Sequence, residues 1–288
     1  MYVLMSPCVL NPDIRAEGIT TCEDLEFFRL ARERCKKFGI EIVPLPCPET
    51  LFLGKDRKPG TYLERLDFGE FRELLATLEA RVRDIIRERG RPLCIIGVNS
   101  SPTCGATSTY YGSTDGSSPK KQGRGVFLAK FPEIPVIDVK QFARYRAYLA
   151  APLFSEAERT FNQKIRDLLE AHLFEVYLPQ EAGDDTHNRS ETTHREIFRL
   201  NREALDRGDF LVAVIDGADA DSGTAWEMGY ATCKGVPVYA IRTDFRRVGQ
   251  DELVNLMLEQ SSVIVRDIRE LPKVLGVSGL ENPNPASR

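Results

Sequence analysis

FLVAVIDGADADSGTAWEMGYATCKGVPVYAI, residues 210–241, decides the fold. An apolar run, 210–215, leads into the carboxylates Asp216, Asp219 and Asp221. A helix-like stretch over 224–233 follows, and then a second apolar run, 236–241. Strand, helix, strand over this length is a βαβ unit, and its strands run parallel because the helix carries the chain back across the sheet.

The alternation extends in both directions. Downstream of residue 143 the pattern predicts strands near 147–150, 174–178, 210–215, 236–241 and 262–265, with helices near 155–171, 192–207, 224–233 and 250–259. Upstream it predicts strands near 2–5, 40–45, 93–98 and 134–138, with amphipathic helices at 22–38 and 68–89. Two successive βα series imply an α/β protein of two domains, 1–143 and 144–288. Each is expected to be a Rossmann-like or flavodoxin-like sandwich with helices on both faces of a parallel sheet. The stretch GSTDGSSPKKQGRG, 112–125, reads as a mobile loop, with a lid over a site as the sharper reading. PNPASR, 283–288, reads as a frayed tail.

Composition narrows the function classes. A net charge of -4 over 288 residues gives no reason to expect a nucleic-acid polymer as partner. No apolar run reaches the roughly 18 residues of a membrane helix, and MYVLMSPCVL lacks the basic segment of a signal peptide, so the expected place is the cytoplasm. Seven cysteines, an odd number, do not suggest a disulfide framework and leave some free to ligate metal.

In open α/β sheets ligands bind beyond the carboxyl ends of the strands, so polar segments there are inspected first. Glu227 is expected in the first turn of its helix, where free N–H groups and the dipole favour an ionised carboxylate able to act as a nucleophile. Gly223 and Gly229 would let a ligand and the neighbouring strand approach the backbone. By spacing alone, an acid in a first turn more often just meets the dipole. DSGTAWEMGYA, with YLAAPLF at 148–154 and VNLM at 254–257, resembles the nucleoside 2-deoxyribosyltransferases over essentially all of residues 144–270.

That resemblance implies that Glu227 attacks the anomeric carbon and that Tyr148 positions it. It also implies that Asp221 and Asn255 hold the sugar 5′-hydroxyl, with Asn255 and Met257 reaching in from a second subunit of a homo-oligomer. Gly223 and Phe154 fall among the substrate-binding positions, and the acidic Asp221 favours nucleosides over nucleotides. The family usually has an aspartate where this chain has Asn201, and an amide cannot do the proton work of an acid. Asp184, Asp185 and His187 are candidates to substitute for it. Asp216 and Asp244 read as loop braces.

Cys8, Cys47 and Cys104 each follow the carboxyl end of an expected strand, whereas Cys22, Cys35, Cys94 and Cys233 are dispersed. Three convergent thiolates suit a soft metal or an iron–sulfur cluster, although cysteine is also a small hydrophobe that is commonly buried. SPC at 6–8, CPE at 47–49, SPTCG at 101–105 and GRGVF at 123–127 resemble a domain family that includes the thiouracil desulfidases. The resemblance implies a 4Fe-4S cluster on Cys8, Cys47 and Cys104, with Ser101 beside it; Glu49, next to a ligand, is by its chemistry a candidate proton carrier ranked below Ser101.

Together the two resemblances imply a bifunctional salvage enzyme. One domain removes sulfur from a thiolated pyrimidine base, and the other transfers or hydrolyses an N-glycosidic bond; the partners are small nucleosides and (thio)nucleobases. The rivals are an iron–sulfur sensor or nucleoside-binding protein without turnover, and a simple nucleoside hydrolase.

Overall fold

The computed structural model describes residues 1–113, 118–182, 191–247, 249, 252–277 and 279–280. The chain divides into two compact units, Met1–Arg144 and Tyr145–Gly276, with Val277 and Leu280 grouped with the first.

In the first unit Tyr2–Met5 (β1), Glu41–Pro44 (β2) and Ile95–Gly97 (β3) begin a parallel sheet. Ser108–Tyr110 (β4) and Lys120–Gln122 (β5) form a separate antiparallel hairpin, and Val136–Asp138 (β6) completes the sheet in the order β2-β1-β3-β6. Every residue of β1 and β3 is buried, which is why these strands read as unbroken apolar runs rather than alternating ones. Thr21 and Asp24 close a capping box at the start of helix Cys22–Lys37. Helix Gly69–Arg89 buries Phe71, Leu75, Leu78 and Val82 along one face. These residues join Leu4, Phe127 and Phe131 in the core, each buried side chain contributing about 1.5–3 kcal/mol.

In the second unit Arg146–Ala150 (β7), Glu175–Tyr177 (β8), Phe210–Val214 (β9), Val238–Ile241 (β10) and Val263–Val265 (β11) form a five-stranded parallel sheet in the order β11-β10-β9-β7-β8. Within the unit the strands therefore lie in the order 2-1-3-4-5, the flavodoxin-like arrangement, and the first unit follows the same scheme with four strands. This order has a consequence for function. The crossovers leave the sheet in opposite directions between the first and third strands, so a crevice opens there, outside their carboxyl ends. It lies beyond β1 and β3 in one unit and beyond β7 and β9 in the other.

The α/β class and parallel sheets are as expected, and four local readings are corrected. The 112–125 stretch is not a featureless loop, since Lys120–Gln122 pairs with Ser108–Tyr110; its three polar residues carried no apolar alternation to reveal a strand. The helix expected over 250–259 is Leu256–Gln260 among the described residues, because Asn255 caps it by accepting from Met257 N at 3.0 Å. Helix Ser222–Cys233 starts two residues early, capped by Asp221, which puts Glu227 in the second turn rather than the first. No heavy atom within 4 Å would meet a Cβ on Gly229, so no strand approaches closely there. The tail 283–288 lies outside the described residues.

Candidate functional site

Tyr148 stands on β7 and Glu227 on the helix that follows β9, so the strand order brings them to the same crevice. The loop between β9 and that helix is rigidly held. Asp216 accepts from Thr243 N at 2.6 Å, Asp244 N at 2.8 Å and Thr243 Oγ1 at 2.6 Å. Arg242, only 1% exposed, donates to the carbonyls of Ile215 at 2.5 Å and Gly217 at 2.8 Å. Asp244 Oδ2 accepts from Gly217 N at 3.2 Å, so both aspartates brace the loop, as the sequence suggests. Asp221 accepts from Thr224 N at 2.9 Å and fixes where the helix begins.

With the helix so placed, the Tyr148 hydroxyl donates to Glu227 Oε1 at 2.5 Å. Tyr177 on β8 stacks on Tyr148, with ring centroids 5.4 Å apart, and donates to Asn201 Oδ1 at 2.9 Å. Glu227, Asn201 and Gly223 line one cavity of about 330 Å³ together with Phe198, Arg202 and Trp226. Burial pushes the Glu227 carboxyl up to about 7; the Tyr148 hydrogen bond pulls it down and the nearby charge of Asp221 pushes it further up. The expectation of a freely ionised carboxylate is corrected accordingly, because in the second turn desolvation outweighs the helix dipole. The Tyr148 phenol is raised by burial and by Glu227, so it keeps its proton and remains a donor at neutral pH.

A testable consequence follows. If the carboxylate is the reactive form, the rate rises with pH through about 7. Tyr148→Phe removes the interaction that lowers this pKa, so the acid limb of the kcat/KM profile moves to higher pH, and the loss at pH 6 exceeds the loss at pH 8.5. A limb that stays in place or moves down excludes this electrostatic role.

A family model for nucleoside 2-deoxyribosyltransferases matches residues 147–265. These residues form a domain of the nucleoside 2-deoxyribosyltransferase family. The chain is also 31% identical over 168 residues to the uncharacterized protein MJ0003 of Methanocaldococcus jannaschii, an alignment covering 57% of this chain and 92% of that protein, and it belongs to the same family as that protein. Among solved structures it resembles the 2-deoxyribosyltransferase of Bacillus psychrosaccharolyticus, with 25% identity over 44% of this chain and 89% of that one and a TM-score of 0.39. It also resembles a conserved protein of Enterococcus faecalis V583, with 27% identity over 46% and 96% of the two chains and a TM-score of 0.40.

The other expected residues of the deoxyribosyltransferase domain are not all gathered at the Glu227 cavity. Asn255 caps its own helix, while Met257 and Phe154 are 76% and 74% exposed and do not line that cavity. Asp184, Asp185 and His187 lie outside the described residues. Sequence reasoning missed Tyr177, Phe198, Arg202 and Trp226. Trp226 sits inside the quoted motif, and the position of Arg202 beside Asn201 was the available signal for the arginine.

In the first unit Cys8, Cys47 and Cys104 line one cavity of about 750 Å³ that also receives Glu49, Arg57 and Ser101. Asn99 shapes the cysteine loop by accepting from the backbone N–H groups of Ala106, Thr107 and Ser108 at 3.0, 2.9 and 3.2 Å. Gly125 of the GRGVF motif packs so closely that a Cβ would lie 2.4 Å from the Thr103 backbone, hence the glycine. Cys47 caps helix Pro48–Leu53, its sulfur accepting from Thr50 N at 3.4 Å and Thr50 Oγ1 at 3.1 Å. Glu49 Oε1 accepts from Ser101 Oγ at 2.9 Å and Thr103 Oγ1 at 2.8 Å, and Oε2 lies 3.5 Å from Arg57 Nε. Arg57, 5% exposed, was not anticipated; it comes from a polar loop with no motif around it.

The thiols are mutually close in an electrostatic sense. Burial pushes Cys8 up to about 12, with Cys47 adding to the shift, and it raises Cys104 well above its ordinary value, with Cys47 and Cys8 both contributing. Among the described residues no three His, Cys, Asp or Glu side chains are grouped as for a single metal ion. Among the described residues no helix is long and apolar enough to cross a membrane.

Proposed function

We propose that the protein is a bifunctional nucleobase and nucleoside salvage enzyme, with a glycosyl-transfer site at Glu227 and a desulfuration site at the three cysteines. The 2.5 Å hydrogen bond from Tyr148 to Glu227, at the edge of a cavity shared with Asn201, carries the first half of this reading. Glu227 attacks C1′ of a nucleoside, forming a C–O bond as the C1′–N bond breaks, and the electron pair leaves with the base. A second base, or water, then attacks C1′ and frees the carboxylate. A buried negative group beneath the anomeric carbon offsets the positive charge of the oxocarbenium-like transition state, and covalent capture divides one displacement into two. Tyr148 holds the carboxylate in line, and Asp221 stands near enough to raise its basicity. The exposure of Met257 and Phe154 supports a site completed by a second copy of the chain.

In the first unit, Cys8, Cys47 and Cys104 would hold a 4Fe-4S cluster. When bound, it supplies an open iron with affinity for sulfur. The overall change is hydrolytic: water oxygen replaces sulfur on the ring carbon, and sulfur leaves as hydrogen sulfide with no net oxidation. Glu49, held by Ser101, Thr103 and Arg57, would carry the protons of the incoming water. Reduced thiols suit a cytoplasmic location.

The transfer reading is tested by incubating the protein with a deoxynucleoside and a second free base and separating the products. An exchanged nucleoside is expected. Free sugar alone, without exchange at any acceptor concentration, would identify a hydrolase, and no release of base would favour a binding protein.

A further inference from the structure

Breaking a C1′–N bond leaves an electron pair on the base nitrogen. A site accommodates it in one of two ways: an acid protonates the base, or a cation meets the negative charge that develops. The cavity beside Glu227 is equipped for the second. Among its described lining residues the only carboxyl is Glu227 itself, which the bond-forming step consumes, and the only cation is Arg202. Asn201 stands next to Arg202 and has no proton to give, since a carboxamide does not titrate near neutral pH. Tyr177 donates to its Oδ1 at 2.9 Å, which leaves the NH2 end as the hydrogen-bonding face for a ligand acceptor. Two aromatic rings, Phe198 and Trp226, lie 5.9 Å apart on the same cavity wall, and the Arg202 guanidinium lies 5.9 Å from the Phe198 ring. Flat faces, an amide donor and a cation make a recess for a planar group with carbonyl or thiocarbonyl acceptors.

We propose that the Glu227 site selects bases that depart as anions, namely uracil-type and thiouracil-type pyrimidines with an acidic ring N–H, and that Arg202 holds their negative charge as the bond breaks. The inference rests on Glu227 being the nucleophile. The step balances: C1′ exchanges its bond to N1 for one to the Glu227 carboxylate oxygen, the pair stays on N1, and the base anion takes a proton from water after it leaves. Purines and cytosine, which leave readily only when a ring nitrogen is protonated, find no further acid among the described residues that line the cavity. Arg202 is an exposed residue, so solvent screens its charge, and its effect is on the order of tenfold rather than the hundred- to ten-thousandfold of a well-placed acid.

The test is initial rates of base release by the full-length protein from 2′-deoxyuridine, 5-fluoro-2′-deoxyuridine and 2′-deoxyadenosine. The protein should release 5-fluorouracil fastest, uracil next, and adenine at least about tenfold more slowly than uracil. Arg202→Gln should slow uracil release about tenfold, mainly in kcat, with a smaller loss for the fluorinated base, which needs less help to leave; Arg202→Lys should recover much of the loss. Asn201→Asp should raise the rate with deoxyadenosine. Adenine released as fast as uracil, or an Arg202→Gln variant with equal or no loss across the two pyrimidines, overturns the proposal. If adenine is preferred while a sugar adduct still forms on Glu227, only the leaving-group assignment falls. If no base is released from any nucleoside, the nucleophile assignment falls with it.

Discussion

Glu227→Gln is expected to reduce base release about 10⁴-fold or more and, in the same protein, to stabilise the fold. The loss of activity follows because an amide cannot form the bond to C1′ that the carboxylate forms. The gain in stability follows from the environment of the carboxyl. Its pKa is raised by burial to about 7 from an ordinary 4.5. Below the lower value both folded and unfolded chains are protonated and nothing is lost. Between the two values the unfolded chain ionises while the folded one does not, so stability falls as pH rises, and the penalty is complete above 7. Glutamine has no charge to desolvate. Its advantage over glutamate should therefore grow by about 2–3 kcal/mol between pH 4 and pH 8, read from denaturant unfolding at the two pH values. An advantage independent of pH would mean that Glu227 is not desolvated in solution as its surroundings here require.

The second large effect concerns iron. Protein isolated without oxygen is expected to be brown and to contain both iron and acid-labile sulfide. Cys47→Ser should lose both, together with any release of sulfide from 2-thiouracil. Burial keeps Cys8 and Cys104 protonated as free thiols, with Cys8 pushed to about 12, so as thiols they are inert. A cationic cluster would reverse that balance by binding the thiolate form, and Thr50 donates two hydrogen bonds to the Cys47 sulfur. Protein that takes up no iron and sulfide even after anaerobic reconstitution would leave the three cysteines as packing residues lining a cavity.

The strands of both sheets were legible because buried parallel strands are continuous apolar runs, and the long helices because Leu75, Leu78 and Val82, for example, recur at helical spacing. Elements too short to show a period were not: helix Pro48–Leu53, helix Tyr62–Arg65 and the Lys120–Gln122 strand carry too few apolar residues. The convergence of three cysteines at one cavity followed from placing them after parallel strands, whereas the pairing of Tyr148 with Glu227 was legible only through the family resemblance. The charge state of Glu227 was not legible, because the capping of the helix by Asp221 moves it one turn inward, from the dipole into the protein. Arg57 was invisible for another reason, and Arg202 offered no sign beyond its place next to Asn201. An arginine in a polar loop or on a charged helix looks solvated until the fold shows which cavity it lines.

The most direct test of the account is mass spectrometry of protein quenched during reaction with a slow substrate, a 2′-deoxy-2′-fluoroarabinosyl nucleoside, without an acceptor base. A pentosyl adduct on the peptide bearing Glu227, absent in Glu227→Gln and discharged when a free base is added, is the expected result. Base released at the normal rate with no adduct on that carboxylate, or an adduct on another residue, would contradict it.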